Sequence, residues 1–228
     1  RDRLLESAHS LIICVDCGTL SHEAIESVQT CDLIVLDHHL ANEDLPKCHA
    51  VVNPNRQDEI GNLSHLCAAA VVFLCLVEMR RLLRVGNEKS PDLMNMLDLV
   101  ALATIADVAP LIGVNRAFVR QGLKILAQRK RVGLAALSDQ IKIDQTLSAY
   151  HLGFLLGPRI NAGGRIGKPD LGAQLLISQD LHTASAIAER LDQLNTERRE
   201  LEKQIKEMAL VQAMHQNDTD SLAWAAGD

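Results

Sequence analysis

The spacing of apolar and polar positions changes character partway along the chain. In the first part, short apolar runs stop on polar residues: Leu11-Ile-Ile-Cys-Val leads into Asp16, and Leu33-Ile-Val-Leu leads into Asp37-His38-His39. Runs of this length read as buried strands, and the interval between them, Ser21 to Gln29, reads as a short helix opening on Ser21 as its cap. Strand, helix and strand in such quick succession predict a βαβ unit with parallel neighbours and a right-handed crossover. Both polar endings then fall at one edge of the sheet. Ala50 to Asn53 is a further short strand, stopped by Pro54, and Asn53-Pro-Asn-Arg56 is a turn.

Beyond that turn the pattern is helical. Ser64 to Leu83 and Pro91 to Thr104 are apolar nearly all round, as helices buried between layers are, with Pro91 in the first turn of the second. Asp107 follows that helix directly. Arg116 to Gln128, Val132 to Ile141 and Thr146 to Leu156 are three further helical segments, interrupted by a glycine-rich loop, Gly157 to Gly167, after which comes the stretch Pro169 to Ile177. A long helix follows from Leu181 to His215, on which Ile187, Leu191, Leu194, Arg198, Leu201, Ile205 and Met208 form a seam. Its polar middle, Asn195 to Glu200, favours a bridge between two lobes over a coiled-coil dimer.

The expectation is an α/β protein. Residues 1–112 form a parallel-sheet domain, 113–180 a helical region and 181–216 a long connecting helix. The last stretch, 217–228, begins a further lobe, with Leu222-Ala-Trp-Ala as its first strand. The chain reads as a piece of a longer protein.

Composition narrows what the fold can do. A hydrophobic content of 47% over 228 residues supplies a sizeable core, but only 2% of residues are aromatic, so stacking on nucleic-acid bases has little material. Any nucleic-acid contact must lean on backbone phosphates. A net charge of -6 gives no global attraction for polyanions. Of the local basic clusters, Arg80-Arg81-Arg84 and Arg129-Lys130-Arg131 read as solvated faces, whereas Arg159 and Arg165 sit among glycines. Six cysteines, no signal peptide and no apolar run of about 18 residues fit a reduced, cytoplasmic protein. Cys14-Val-Asp-Cys17 has no second pair to complete a zinc site, so the cysteines read as small core residues.

In open α/β sheets, ligands bind outside the carboxyl ends of the strands, where Asp16 and Asp37-His38-His39 fall. A mixed set of carboxylates and imidazoles favours borderline cations such as Mn²⁺, Zn²⁺ or Fe²⁺. Neighbouring residues at a strand end point different ways, so Asp37, His38 and His39 cannot all ligate one ion. A carboxylate there can orient an imidazole through its second nitrogen. Asp16 and Asp107 follow apolar runs, and a cation would offset their desolvation. The loop from Gly157 to Arg165 offers two guanidinium groups, an amide and glycine N–H groups to an anion.

These segments together resemble the DHH phosphoesterase superfamily, in its branch of RecJ-type single-strand-specific exonucleases. Val15-Asp-Cys-Gly18 resembles the second family motif, Leu36-Asp-His-His39 the third, and Leu97-Asp-Leu-Val-Ala-Leu-Ala-Thr-Ile-Ala-Asp-Val-Ala-Pro-Leu111 the fourth. Leu66 to Phe73 resembles the helix after the third motif, and Gly157 to Arg165 the segment most particular to the RecJ branch.

The resemblance implies a two-metal phosphodiesterase using Mn²⁺ or Mg²⁺ that digests single-stranded DNA from its 5′ end in repair and recombination. It implies that Asp16 bridges the ions, that His38 and Asp107 ligate one of them, and that Asp37 supports them. His39 then contacts the scissile phosphate, and Arg159, Asn161 and Arg165 lie along the DNA. A helicase and a single-strand-binding protein are the implied partners, with no membrane. Asp98 also matches the pattern but lies inside a helix, which makes it structural. The family's first motif, Asp-x-Asp, is expected upstream of residue 1 and its second-lobe substrate motif beyond residue 228, so this chain alone is expected to be inactive. The alternatives are a DHH phosphoesterase for oligonucleotides, cyclic dinucleotides or pyrophosphate, and a non-catalytic RecJ-like scaffold.

Overall fold

Three parallel strands, paired in the order β1-β2-β3, carry the polar endings to one edge in the computed structural model. The structure describes residues 9–28, 31–85, 92–216 and 224–227. The strands are β1 (Leu11–Val15), β2 (Asp32–Leu36) and β3 (Ala50–Val52), with α1 (His22–Glu26) between the first two. The register sets Val15 opposite Leu36. Two bonds extend it past the strand ends: Asp16 N–H donates to the Leu36 carbonyl at 3.0 Å, and Asp37 N–H to that of Val52 at 3.1 Å.

β2 is buried between Ile25, Val28, Cys48 and Val51. β1 is not the buried strand its composition suggests. Leu11, Ile13 and Val15 are 46%, 51% and 47% exposed, because β1 is an outer strand and only the alternate side chains, Ile12 and Cys14, reach the core. Ser21 precedes α1, but its side chain makes no capping bond. The expectation for Gln29 at the end of this helix lies outside the described residues.

Helices follow: α2 (Ala68–Val85), a 3₁₀ turn (Leu93–Met96) running into α3 (Leu97–Ala106), α4 (Gly113–Leu126) and α5 (Val132–Gln140). Pro91 lies outside the described residues. A π-helical turn (His151–Leu156) leads into α6 (Gly157–Ile166), then α7 (Leu171–Ile177) and α8 (Leu181–Met214). Leu66, Val71, Phe73, Leu93, Leu97 and Val100 form the core around α2 and α3.

The chain divides into two compact units. The first comprises Arg1–Gln128 with Leu147–Gly153, and the second Arg129–Thr146 with Phe154–Asp228. The helical region expected over 113–180 is therefore shared between them, and α4 belongs with the sheet. In the first unit α4 lies against α3 at a glycine. A Cβ on Gly122 would stand 2.2 Å from the Leu97 carbonyl and 2.4 Å from Ala101 Cβ.

In the second unit the glycine-rich segment is a helix rather than a loop. Pro158 sits in its first turn, and two glycines lie at close contacts: a Cβ on Gly163 would meet Leu191 at 3.1 Å, and one on Gly167, the residue after the helix, would meet Leu194 at 2.6 Å, whereas Gly164 faces open space. Helix α8 is capped by Asp180, whose carboxylate accepts from Thr183 N–H at 2.7 Å. Its seam is buried only as far as Asn195, and Leu201, Ile205 and Met208 are 48%, 52% and 56% exposed. Of the expected final strand, Trp224 to Gly227 are described and are not in a strand, whereas Leu222 and Ala223 lie outside the described residues.

Candidate metal centre

Three separate elements deliver side chains to one point in the first unit. Asp16 ends β1 in the left-handed region, φ 61°, which aspartate tolerates better than most residues. His38 lies two residues beyond β2. Asp107 closes the last turn of α3, its N–H bonded to the Ala103 carbonyl at 2.9 Å, and the chain turns away at Val108, φ 55°. His38 Nε2 stands 3.2 Å from Asp16 Oδ1 and 3.7 Å from Asp107 Oδ2.

Among the described residues, neither carboxylate meets an arginine or lysine. Two carboxylates converging on one imidazole without a basic side chain suit a divalent cation, and the oxygen and nitrogen donors suit Mn²⁺. The carboxylates are not desolvated, since Asp16 is 64% and Asp107 44% exposed. Their convergence, rather than burial, is what a cation would offset. Donor atoms of Asp16, His38 and His39 also lie within 4.8 Å of one another, so His39 stands within reach of the same ion.

Asp37 points the other way, into the protein, and is 1% exposed. Its Oδ1 accepts from His38 N–H at 2.8 Å, His39 N–H at 3.3 Å and His39 Nδ1 at 2.7 Å, and its Oδ2 accepts from Thr19 N–H at 3.1 Å. Burial opposes its ionisation, but the hydrogen bonds from His39, Thr19 and His38 outweigh burial and hold the carboxyl well below the usual carboxylate range. The same bond to Asp37 raises the His39 pKa, against a smaller effect of burial. With Nδ1 engaged, His39 keeps Nε2 available to a ligand.

Three residues that were not singled out from the sequence hold this turn in place. Asn53 Nδ2 donates to Thr19 Oγ1 and to the His39 carbonyl, each at 2.9 Å. Asn55 Nδ2 donates to the His38 carbonyl at 2.6 Å, and Asn55 N–H to Asn53 Oδ1 at 2.8 Å. The turn after β3 thus fixes the backbone of both histidines. The available signal was the pair of asparagines flanking Pro54 at a strand end.

The other expected residues belong to the second unit. Arg159 donates from Nε to Asp192 at 2.7 Å and from Nη1 to the Leu155 carbonyl at 2.9 Å, so its guanidinium ties α6 to α8. Asn161 and Arg165 are exposed on α6. The helix consumes most of the N–H groups that a loop would have offered to an anion. Asp98 is 3% exposed inside α3 and accepts from Leu99 N–H at 2.7 Å.

Residues 2–104 match the DHH family, N-terminal domain. The chain is 39% identical over 211 residues to the single-stranded-DNA-specific exonuclease RecJ of Salmonella typhimurium, covering 88% of this chain and 37% of that protein. To the protein of the same name from Escherichia coli it is 36% identical over 230 residues, 94% of this chain and 40% of the relative. The chain therefore spans about two fifths of the length of these curated relatives. Its fold is similar to that of RecJ from Thermus thermophilus in complex with Mn²⁺, with a TM-score of 0.80 and 33% identity, covering 93% of this chain and 31% of that one. A structure of the same relative's RecJ in complex with Mg²⁺ has a TM-score of 0.65 at 31% identity, covering 88% of this chain and 28% of that one.

Proposed function

We propose, from the match of residues 2–104 to the DHH family and the likeness to RecJ exonucleases, that the chain belongs to the RecJ branch of that family and supplies part of the active site of a metal-dependent, 5′-to-3′ exonuclease for single-stranded DNA. The observation that carries this reading is the convergence of Asp16 and Asp107 on His38 from three elements, beside a His39 fastened through Asp37. Bound there, Mn²⁺ or Mg²⁺ would lower the pKa of an attacking water and stabilise charge on the phosphate.

The chain's own residues have separate tasks. Asp16, His38 and Asp107 would hold the ions, with Asp16 and Asp107 supplying carboxylate oxygens and His38 an imidazole nitrogen. Asp37 fixes the orientation of His39 and leaves Nε2 to meet a phosphate oxygen. On this reading Arg165 and Asn161 face the strand, and Arg159 keeps α6 in position.

Digestion of a single strand requires DNA that has been unwound and kept open, the tasks of a helicase and a single-strand-binding protein. The free cysteines among the described residues suit a reducing cytoplasm. No described helix is long and apolar enough to cross a membrane.

The test is digestion of 5′-labelled single-stranded DNA by the full-length protein with Mn²⁺, beside Asp16→Asn. Asparagine keeps the left-handed backbone preference and removes the charge. Lewis-acid stabilisation is worth several kcal/mol, so the variant should be at least about a thousand-fold slower. No digestion by the unsubstituted protein would sink the exonuclease reading.

A further inference from the structure

Between Asp107 and Asp139 the chain has six basic residues and no acidic one, within a sequence whose net charge is -6. Three of the six, Arg116, Arg120 and Lys124, lie on α4 at intervals of four residues and are exposed. The opposite face of α4, with Asn115, Val119, Gly122 and Leu126, is buried. Four residues advance a helix by about 6 Å, so the three side chains form one stripe about 12 Å long.

Like charges at this spacing repel, and helices ordinarily relieve them with acidic neighbours. Helix α8 does so: Arg190 pairs with Glu197, Arg198 with Glu202 and Lys203 with Glu207. On α4 none of the three cations meets a carboxylate among the described residues. The stripe is therefore an uncompensated cationic surface on an otherwise acidic chain, which is the electrostatic footprint of a polyanion site.

Its placement relates it to the candidate metal centre within the first unit. Helices α3 and α4 are antiparallel, since Gly122 near the end of α4 abuts Leu97 at the start of α3. Asn115 at the other end donates to the Pro110 carbonyl at 3.0 Å and the His65 carbonyl at 2.7 Å. The first turn of α4 is thereby fastened to the segment that leaves Asp107. Arg116 begins the stripe at that end, and Lys124 lies farther along.

We propose that Arg116, Arg120 and Lys124 form a track for the phosphate backbone of a single-stranded nucleic acid, guiding the part of the strand not yet digested. This proposal rests on the exonuclease reading. The low aromatic content agrees with it, since contact through phosphates needs no base stacking.

The test is binding of the full-length protein, in an Asp16→Asn background that prevents digestion, to a fluorescent oligodeoxynucleotide of about 20 residues across a salt series. A single strand loses about 0.7 in log–log salt slope for each phosphate contact removed. Replacing all three cations by glutamine should therefore lower the slope by about 2 and weaken binding roughly ten- to a hundred-fold at low salt. Arg116→Lys with Arg120→Lys, which keeps the charge, should preserve the slope.

An unchanged slope in the glutamine variant overturns the track and leaves the exonuclease reading standing. Unchanged DNA binding in the glutamine variant, with loss of its binding to polyglutamate in a parallel titration of both proteins, also overturns it, in favour of an acidic protein partner. Failure of the Asp16→Asn protein to bind single strands, together with failure of the unsubstituted protein to digest them, would instead overturn the reading on which the track rests.

Discussion

In the first unit, Asp16 and Asp107 face one histidine and no lysine or arginine, and the three cations of α4 face no carboxylate among the described residues. In the second, Arg159 closes on Asp192, Arg129 on Asp139 and Arg198 on Glu202. The first unit also pairs Arg56 with Asp58 and Arg81 with Glu78, but at the candidate centre and along α4 it leaves charges of both signs unmatched, while these cations of the second unit are neutralised. An unmatched surface charge is poised for a ligand. A matched pair mostly fixes geometry, and where exposed it adds little stability.

Substitutions that separate the two kinds of charge test this contrast. After Asp16→Asn, the largest effect is expected from Asp37→Asn, which keeps the shape and removes the charge that holds His39. Loss of an orienting partner of this kind typically costs 10- to 100-fold in metal affinity or activity, and weakening hydrogen bonds to a buried carboxylate costs about 1.5–3 kcal/mol of stability. Digestion rates and urea unfolding would read the two effects. Asp37 also sets a pH dependence. Its carboxyl lies below the ordinary value of 3.8 in the folded state, so the stability it supplies is complete above that value and is lost as pH falls below it. An unfolding midpoint in the Asp37→Asn protein that fell as steeply with acid would contradict this.

A smaller effect, and a sharper comparison, comes from paired glycine substitutions. A Cβ at Gly122 meets the Leu97 carbonyl at 2.2 Å, and one at Gly133 meets the Leu175 carbonyl at 1.9 Å. Each alanine variant should lose about 1–3 kcal/mol through overpacking. Only Gly122→Ala should also slow digestion under conditions where both variants are fully folded, because it displaces the helix that ends on Asp107. Equal slowing by both would show that the two units do not divide the work in this way.

The smallest effect should come from Arg159 and Asp192. If this pair is structural, Arg159→Ala and Asp192→Ala should each cost about 1 kcal/mol, and the double variant less than their sum. If Arg159 instead serves DNA, Asp192→Ala should strengthen binding and Arg159→Ala weaken it.

Much of the first unit was legible in the sequence, because short apolar runs ending on polar residues leave few options besides parallel strands. The opposed directions of Asp37 and His38 followed from the alternation of side chains at a strand end. The roles of Thr19, Asn53 and Asn55 did not, since each depends on contacts between distant segments, such as the bond from Asn53 to Thr19. The segment from Gly157 misled for another reason. Glycine permits both a phosphate-binding loop and a tightly packed helix, and only the presence of Leu191 and Leu194 on α8 decides between them. The seam of α8 had the right period but could not say where burial stops.

The pairing of Val15 with Leu36 has a consequence for how this chain tolerates insertions and deletions. A slip of one residue along β2 would exchange inside for outside, presenting Asp37 to solvent and forcing His38 into the cage built for a carboxylate. A residue gained in the turn between Leu40 and Lys47 should be absorbed as loop length. One gained between Leu33 and Leu36 should abolish the centre while leaving every one of its side chains in the sequence. Lineages of this protein should therefore vary in length at the first place and keep it at the second.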